Sequence, residues 1–294
     1  MSSQTKERFA VAHFQRVFDV VPSRDVVSLS ELSAGLTTFL LKPKLARQVE
    51  RDRGKIDEAR RSYDASGVLK GRLGRVIREQ MQRTGIDDVG IAFDRLRKRA
   101  GARAKTDLRL WSPAHYTEDG RRESENVVAM SALVLDFDSA ADPHEMSERF
   151  RDHYHIVHST WSFRPGVPKF RLCLPFKRPV RAEDWAQVWA IGSERAGGTN
   201  DPALKSTGST FALPATSSEE TPRFAFIHEG PLYDPVRDGL AREGPPPDYA
   251  PQAESHFRAT DGEARVPSLS LVGASDFDLF ERPKAAWDDD FDLF

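Results

Sequence analysis

Residues Val127–Phe137 constrain this chain most: a nearly continuous apolar run closes on two carboxylates, Asp136 and Asp138, separated by one residue. A run of this composition reads as a strand buried on both faces. Alternate strand residues share a face, so Asp136 and Asp138 project the same way with their Cα atoms ~7 Å apart. Two carboxylates so placed can share hard divalent cations, an arrangement that serves phosphoryl transfer in nucleotidyl transferases, nucleases and phosphatases. The same pattern also ends strands that merely turn into solvent.

The surrounding sequence predicts an α+β fold with a central, mostly antiparallel sheet. Further strand-like runs fall at 155–160, 170–175, 209–214 and 223–228, with helices at 143–153 and 182–195. Upstream, the pattern predicts a helix over 5–19, a short strand at 26–29 and a helix at 30–39 capped by Ser28 or Ser30. Pro43 is expected to break the chain. Helical spacing then runs through 44–101, where Gly54, Gly67, Gly85 and Gly101 divide the segment into three or four helices. Four parts follow: 1–41 as the N-terminal part of the core, 42–104 as a basic helical region, 105–240 as the main sheet, and 241–294 as a disordered tail.

Charge supports that division. The 294 residues carry a net charge of −2, but residues 42–105 hold 19 basic and 9 acidic side chains, and residues 241–294 hold 5 and 12. A basic segment favours polyphosphate partners, although it is also what an ordinary solvated helical face looks like. The tail opens on Gly-Pro-Pro-Pro and continues polar and acidic, too poor in apolar residues to form a core. A single cysteine, Cys173, excludes a disulfide framework and Cys-based zinc. His153, His155 and His158 do not share one strand face. Nothing approaches the ~18 apolar residues of a membrane span, and the charged N-terminus is no signal peptide, so a cytoplasmic protein without membrane contact is expected. No GxxxxGK[ST] is present, so a helicase partner would be a separate chain.

Two further constellations accompany the Asp-x-Asp. Val157-His158-Ser159-Thr160-Trp161 leads through a Pro-Gly loop to Lys169-Phe170-Arg171, a strand, turn and returning strand with Lys169 and Arg171 on one face. Two cations beside a carboxylate pair suit a metal-bridged triphosphate, or simply neutralise acidic neighbours. Asp201, in Thr199-Asn200-Asp201-Pro202, offers a third carboxylate just before the strand at Phe211.

In this order and spacing the motifs resemble the catalytic core of the archaeo-eukaryotic primase superfamily, the primase-polymerases, with the plasmid- and phage-borne branch nearest. Trp111-Ser112-Pro113-Ala114-His115-Tyr116, Arg122 and Glu125-Asn126-Val127 resemble the segment before the first motif in that branch, and Thr160, Ser162, Lys169, Arg171 and Pro175 resemble its second. Residues 26–39 look like the opening of primase-like domains attached to virulence-associated helicases. Two positions depart from the family: its SxH is replaced by Lys169-Phe170-Arg171, with His158 on the neighbouring strand, and Ser209 stands where an Arg often precedes the next strand, with Lys205 upstream.

The resemblance implies a template-dependent nucleotidyl transferase for replication of a plasmid, phage or mobile element, with 105–240 as its catalytic core. Asp136, Asp138 and Asp201 would hold Mg²⁺ or Mn²⁺, and Lys169 and Arg171 would grip the nucleoside triphosphate, with His158, Lys205 and Arg178 as further nucleotide-binding candidates. Single-stranded or primed DNA is the implied template. A non-enzymatic DNA-binding replication factor on the same fold and a metal-dependent nuclease are the alternatives.

The tail repeats a pentapeptide: Asp276-Phe277-Asp278-Leu279-Phe280 recurs as Asp290-Phe291-Asp292-Leu293-Phe294. Both copies resemble bacterial sliding-clamp ligands in their last three positions. The second also resembles the acidic, Phe-terminated tail of bacterial single-stranded DNA-binding proteins. Docking to a clamp or to a single-stranded DNA-binding protein is expected, with masking of the chain's own basic region as the alternative.

Overall fold

The computed structural model describes residues 7–138, 141–249, 251, 257 and 264–268. The chain runs β1 (Arg8–Phe14), β2 (Ser23–Ser28), α1 (Leu29–Thr37), β3 (Thr38–Leu41), α2 (Pro43–Ser66), α3 (Gly71–Thr84) and α4 (Val89–Lys105). It continues through β4 (Leu110–Ser112), β5 (Ala114–Tyr116), β6 (Val127–Phe137), α5 (Pro143–Arg149), β7 (His155–Ser159) and β8 (Phe170–Arg181). It closes with α6 (Trp185–Arg195), β9 (Phe211–Ala212), β10 (Ala215–Thr216), β11 (Ala225–His228) and β12 (Arg265–Pro267).

The architecture is α+β with predominantly antiparallel sheets. Five strands in the order β11-β7-β8-β6-β5 form the main sheet, and β2-β1-β4-β9 form a second; β10-β3-β12 is a small third, in which β10 runs parallel to β3. The strand expected at 127–137 is β6. Its two faces enter different cores: Leu133, Leu135 and Phe137 pack with α5 and α6 through Met146, Trp185 and Val188. Ala132 and Val134 pack instead with Phe9, Val11, Leu32 and Leu36 from β1 and α1. That double burial explains why β6 shows no polar alternation.

The helix expected over 5–19 is instead the strand β1, buried at every position from Phe9 to Phe14. Its two faces enter different cores, Phe9 and Val11 one and Ala12 and Phe14 the other, so the segment lacks the polar alternation that would mark a strand. α1 begins at Ser28, whose hydroxyl accepts from Glu31 N while the Glu31 carboxylate accepts from Ser28 N at 2.7 Å, a reciprocal capping box.

Pro43 marks the expected break, between β3 and α2, and itself occupies the first turn of α2, where a missing N–H costs nothing. Of the four expected dividers, Gly67 and Gly85 end α2 and α3 in the left-handed conformation. Gly54 and Gly101 lie inside helices instead. The three helices close over a core of their own, built from Ile56, Ile77, Ala92 and Phe93.

Disorder from residue 241 onward does not hold for all of that segment. Glu243 bridges to Val180, Phe257 is buried against His13 and Trp111, and β12 pairs with β3. Arg223 secures this return by donating to the Pro267 carbonyl at 2.9 Å. Both pentapeptide copies, Asp276–Phe280 and Asp290–Phe294, lie outside the described residues. Among the described residues no helix is long and apolar enough to cross a membrane.

Candidate metal centre

The end of β6 is held by β8, and β8 by β7. In antiparallel sheets directly opposed residues share a face. Asp136 lies opposite Arg171, and Arg171 opposite His158, so a carboxylate, a guanidinium and an imidazole form one row across three strands. Arg171 Nε donates to Asp136 Oδ1, and its Nη1 donates to the Ala212 carbonyl at 2.7 Å. The guanidinium also lies over the Phe211 ring, 5.6 Å from its centroid. One step toward the strand end, Lys169 Nζ pairs with Asp138 Oδ1 at 3.2 Å.

Asp201 reaches the same place by a main-chain contact. Its N–H donates to the Asp136 carbonyl at 2.8 Å, while its carboxylate caps the following 3₁₀ turn by accepting from Ala203 N at 2.9 Å. Ligand atoms of Asp136, Asp138 and Asp201 lie within 4.8 Å of one another. Among the described residues this is the one cluster of potential metal ligands. Three carboxylates form a hard oxygen donor set that suits Mg²⁺ or Mn²⁺ better than a thiophilic metal. Each carboxylate keeps acceptor capacity beyond its protein partner, so the ion pairs do not preclude ligation.

Electrostatics mark the cluster. Burial raises the Asp136 pKa; Arg171 opposes the shift, and Asp138 and Asp201 add to it by repulsion. A third cation joins Lys169 and Arg171: Lys105, the last residue of α4 and of the basic segment. Desolvation lowers the Lys105 pKa first; Asp138 pulls it back up, and Lys169 and Arg171 push it down. Its signal in the sequence was its place at the end of a basic helix, directly before β4.

His158 stands in the expected row, but it is fully buried and its pKa is lowered to about 3, by burial first and then by Arg171. It is therefore a neutral neighbour that packs against Arg171, with Nδ1 3.1 Å from the Ser159 carbonyl, and it presents no surface to a nucleotide. Lys205 is exposed and contributes its carbonyl to Trp185 Nε1 at 2.8 Å. Arg178 lies seven residues beyond Arg171 on β8, roughly 23 Å along the strand, where it pairs with Asp234 and Glu243. The structure therefore holds Arg178 away from the carboxylates. His155 is likewise no ligand: its Nε2 lies 2.7 Å from Ser147 Oγ and its Nδ1 2.9 Å from the His153 carbonyl.

The fold thus presents an acidic triad at a strand end, framed by three cations. Residues 114–197, which contain β5 through α6 and the first two carboxylates, match the VapE N-terminal domain family. The chain is also similar to a solved structure of the AEP domain of the cyanophage S-2L primase-polymerase, at 16% identity over 49% of this chain and 74% of that one. The TM-score is 0.34, a likeness too distant to establish shared geometry. No curated protein matches.

Proposed function

We propose that the chain is a metal-dependent nucleotidyl transferase of primase-polymerase type, extending or initiating a strand on a DNA template. The observation that carries this reading is the convergence of Asp136, Asp138 and Asp201 within 4.8 Å, with Lys169 and Arg171 paired to the first two. Mg²⁺ or Mn²⁺ held by the triad would supply Lewis-acid activation of the attacking 3′-hydroxyl and stabilise the departing pyrophosphate. The chain's own residues do the rest. Lys169 and Arg171 face the same side as the carboxylates and bind triphosphate oxygens as these arrive. The Ala212 carbonyl and Phe211 ring hold Arg171 so that little side-chain entropy is lost on binding.

Charge balance supports the reading. Three carboxylates against Lys105, Lys169 and Arg171 leave the free site near neutral. Two divalent ions would then leave an excess of about four positive charges, which matches a nucleoside triphosphate.

The deciding experiment is incorporation of labelled nucleotide on a single-stranded and on a primed template, with Mg²⁺ and with Mn²⁺. Metal-dependent product that disappears in Asp136→Asn and Asp138→Asn supports transfer. Template shortening would identify a nuclease, and template binding without turnover a replication factor. The repeated pentapeptide is read as a docking element for the sliding clamp or the single-stranded DNA-binding protein. Deleting residues 269–294 should abolish clamp binding and leave incorporation on naked template unchanged.

A further inference from the structure

The turn between β1 and β2 gathers apolar side chains in water. Phe18, Val20 and Val21 are 76%, 52% and 69% exposed, and they are three of the six large apolar side chains exposed among the described residues. The turn that carries them is nevertheless tied down. Asp19 N donates to the Arg16 carbonyl at 3.1 Å, and the Asp19 carboxylate accepts from Arg16 N at 2.8 Å. Val17 N donates to the Thr106 carbonyl at 3.3 Å. Arg122 holds the turn twice, its N–H donating to the Val20 carbonyl at 2.7 Å and its Nη1 to the Val17 carbonyl at 2.6 Å. Its guanidinium also lies 5.4 Å from the centroid of the Phe14 ring. Val17 packs inward on the main core, so its neighbours at the tip are held outward by a fixed backbone.

The strand register places this tip near the carboxylate centre. Phe14, Leu110 and Ala212 lie opposite one another across β1, β4 and β9. The Ala212 carbonyl accepts from Arg171, whose Nε donates to Asp136. Two strand spacings, ~10 Å, separate Phe14 from Ala212. Phe18 follows four residues later, at most ~14 Å of chain, so its Cα lies within about 25 Å of the carbonyl that holds Arg171. A second line of contacts joins the turn to the loop after Asp201: Ser124, two residues beyond Arg122, has its Oγ 2.6 Å from Ser206 Oγ.

The surroundings of the tip indicate its occupant. Arg16 lies in the turn and Arg121 directly before the residue that holds it; both are exposed, and among the described residues neither guanidinium pairs with a carboxylate. An aromatic face flanked by unpaired cations suits an unpaired nucleic-acid strand, whose bases stack on the ring whatever their identity while the backbone meets the charges. Three side chains fall well short of the ~800 Å² per partner that a stable protein interface needs.

We propose that the β1–β2 turn is a stacking platform for a base of a single nucleic-acid strand, with Phe18 under the base, Val20 and Val21 beside it, and Arg16 and Arg121 on the flanking phosphates. That this strand is the one served by the carboxylates rests on the nucleotidyl-transfer reading; the stacking itself is read by binding alone.

The test is fluorescence anisotropy of a labelled single-stranded oligonucleotide and of its duplex with the full chain, titrated across salt without metal or nucleotide. Phe18→Ala should bind the single strand roughly tenfold more weakly, the loss of one stacked base, with an unmoved salt slope. Phe18→Tyr should bind as the wild type does. Duplex binding, where the bases are already stacked on one another, should not change in Phe18→Ala. Arg16→Gln/Arg121→Gln should flatten the log–log salt slope by ~1.4, at ~0.7 per phosphate contact. No binding of the single strand by the wild type overturns the platform. So does a Phe18→Ala affinity within twofold of the wild type, or an equal loss on the duplex. Self-association of the wild type that Phe18→Ala abolishes, with single-strand affinity unchanged, would assign the tip to a protein surface instead. Loss of affinity in Phe18→Ala from a protein that incorporates no nucleotide keeps the platform and removes the transferase reading. Incorporation by a protein whose strand affinity ignores Phe18 does the reverse.

Discussion

β8 carries an arginine–aspartate pair near each end, and the two pairs differ in what surrounds them. Arg171 and Asp136 are 12% and 8% exposed, and two further carboxylates crowd the aspartate. Arg178 is 35% exposed, and its partners Asp234 and Glu243 are fixed by three of its own nitrogens. Asp234 is itself buried, at 6% exposed, but it is balanced by Arg178 and by the Arg237 N–H, and the pair ties β8 to the segment after β11. The first lies in a place where negative charge has been concentrated against its own repulsion. The same two residue types thus make a fastening at one end and a reactive centre at the other, and the neighbouring carboxylates decide which.

The comparison breaks most sharply on activity. Asp136→Asn should lower nucleotide incorporation by on the order of 1000-fold, as loss of a preorganised transition-state contact does. Asp234→Asn should leave it within about twofold. Equal losses in a steady-state incorporation assay would show that the two ends do not differ in kind.

Stability should separate them next. Arg171→Ala leaves Asp136 buried beside two carboxylates and should cost about 3 kcal/mol in urea unfolding. Arg178→Ala leaves the buried Asp234 with the Arg237 N–H as donor and without the two carboxylate neighbours of Asp136, and should cost less than Arg171→Ala. Millimolar Mn²⁺ should restore much of the Arg171→Ala loss, because it replaces the missing positive charge, and should restore nothing in Arg178→Ala.

Ligation gives a third contrast. Divalent metal at ~100 times its Kd should stabilise the wild type by about 2.7 kcal/mol, read as a higher thermal midpoint that EDTA reverses. Asp138→Asn should erase the shift, and Glu243→Gln should keep it.

The smallest effect is a pH slope. His158, in the Arg171 row, has its pKa lowered to about 3, and His155, on the same strand, to about 4, both chiefly by burial. Both values lie below the ordinary histidine 6.5, so the unfolded chain takes up protons first as pH falls. Stability is complete above pH 6.5 and should decline below it by ~1.4 kcal/mol per pH unit for each histidine. Urea midpoints between pH 6.5 and 5 should therefore fall. His155→Asn should reduce the slope by about one proton; an unchanged slope would show that His155 is not kept neutral by the fold.

Much of this site was legible in the sequence because its parts are local. Strand alternation placed Asp136 with Asp138, and Lys169 with Arg171, and the apolar run fixed β6 to the residue. What escaped was set by contacts between distant segments. Lys105 reaches the triad because β4 follows α4 at once and pairs with β9, which also supplies the Ala212 carbonyl to Arg171. β1 reads as helical in the sequence because both its faces are covered, largely by elements far along the chain. His158 and Arg178 carried the right chemistry, but nothing local showed that one would be sealed and the other paired elsewhere.

The pairing of β12 with β3 joins Arg265 to Leu40. During synthesis at ~5–20 residues per second, β3 leaves the ribosome roughly ten to fifty seconds before its partner exists. Through that interval its edge is uncovered, and the Phe257 site beside Gly35 is empty. Until β12 and Phe257 arrive, the N-terminal layer of the nascent chain is open to misassociation along that edge.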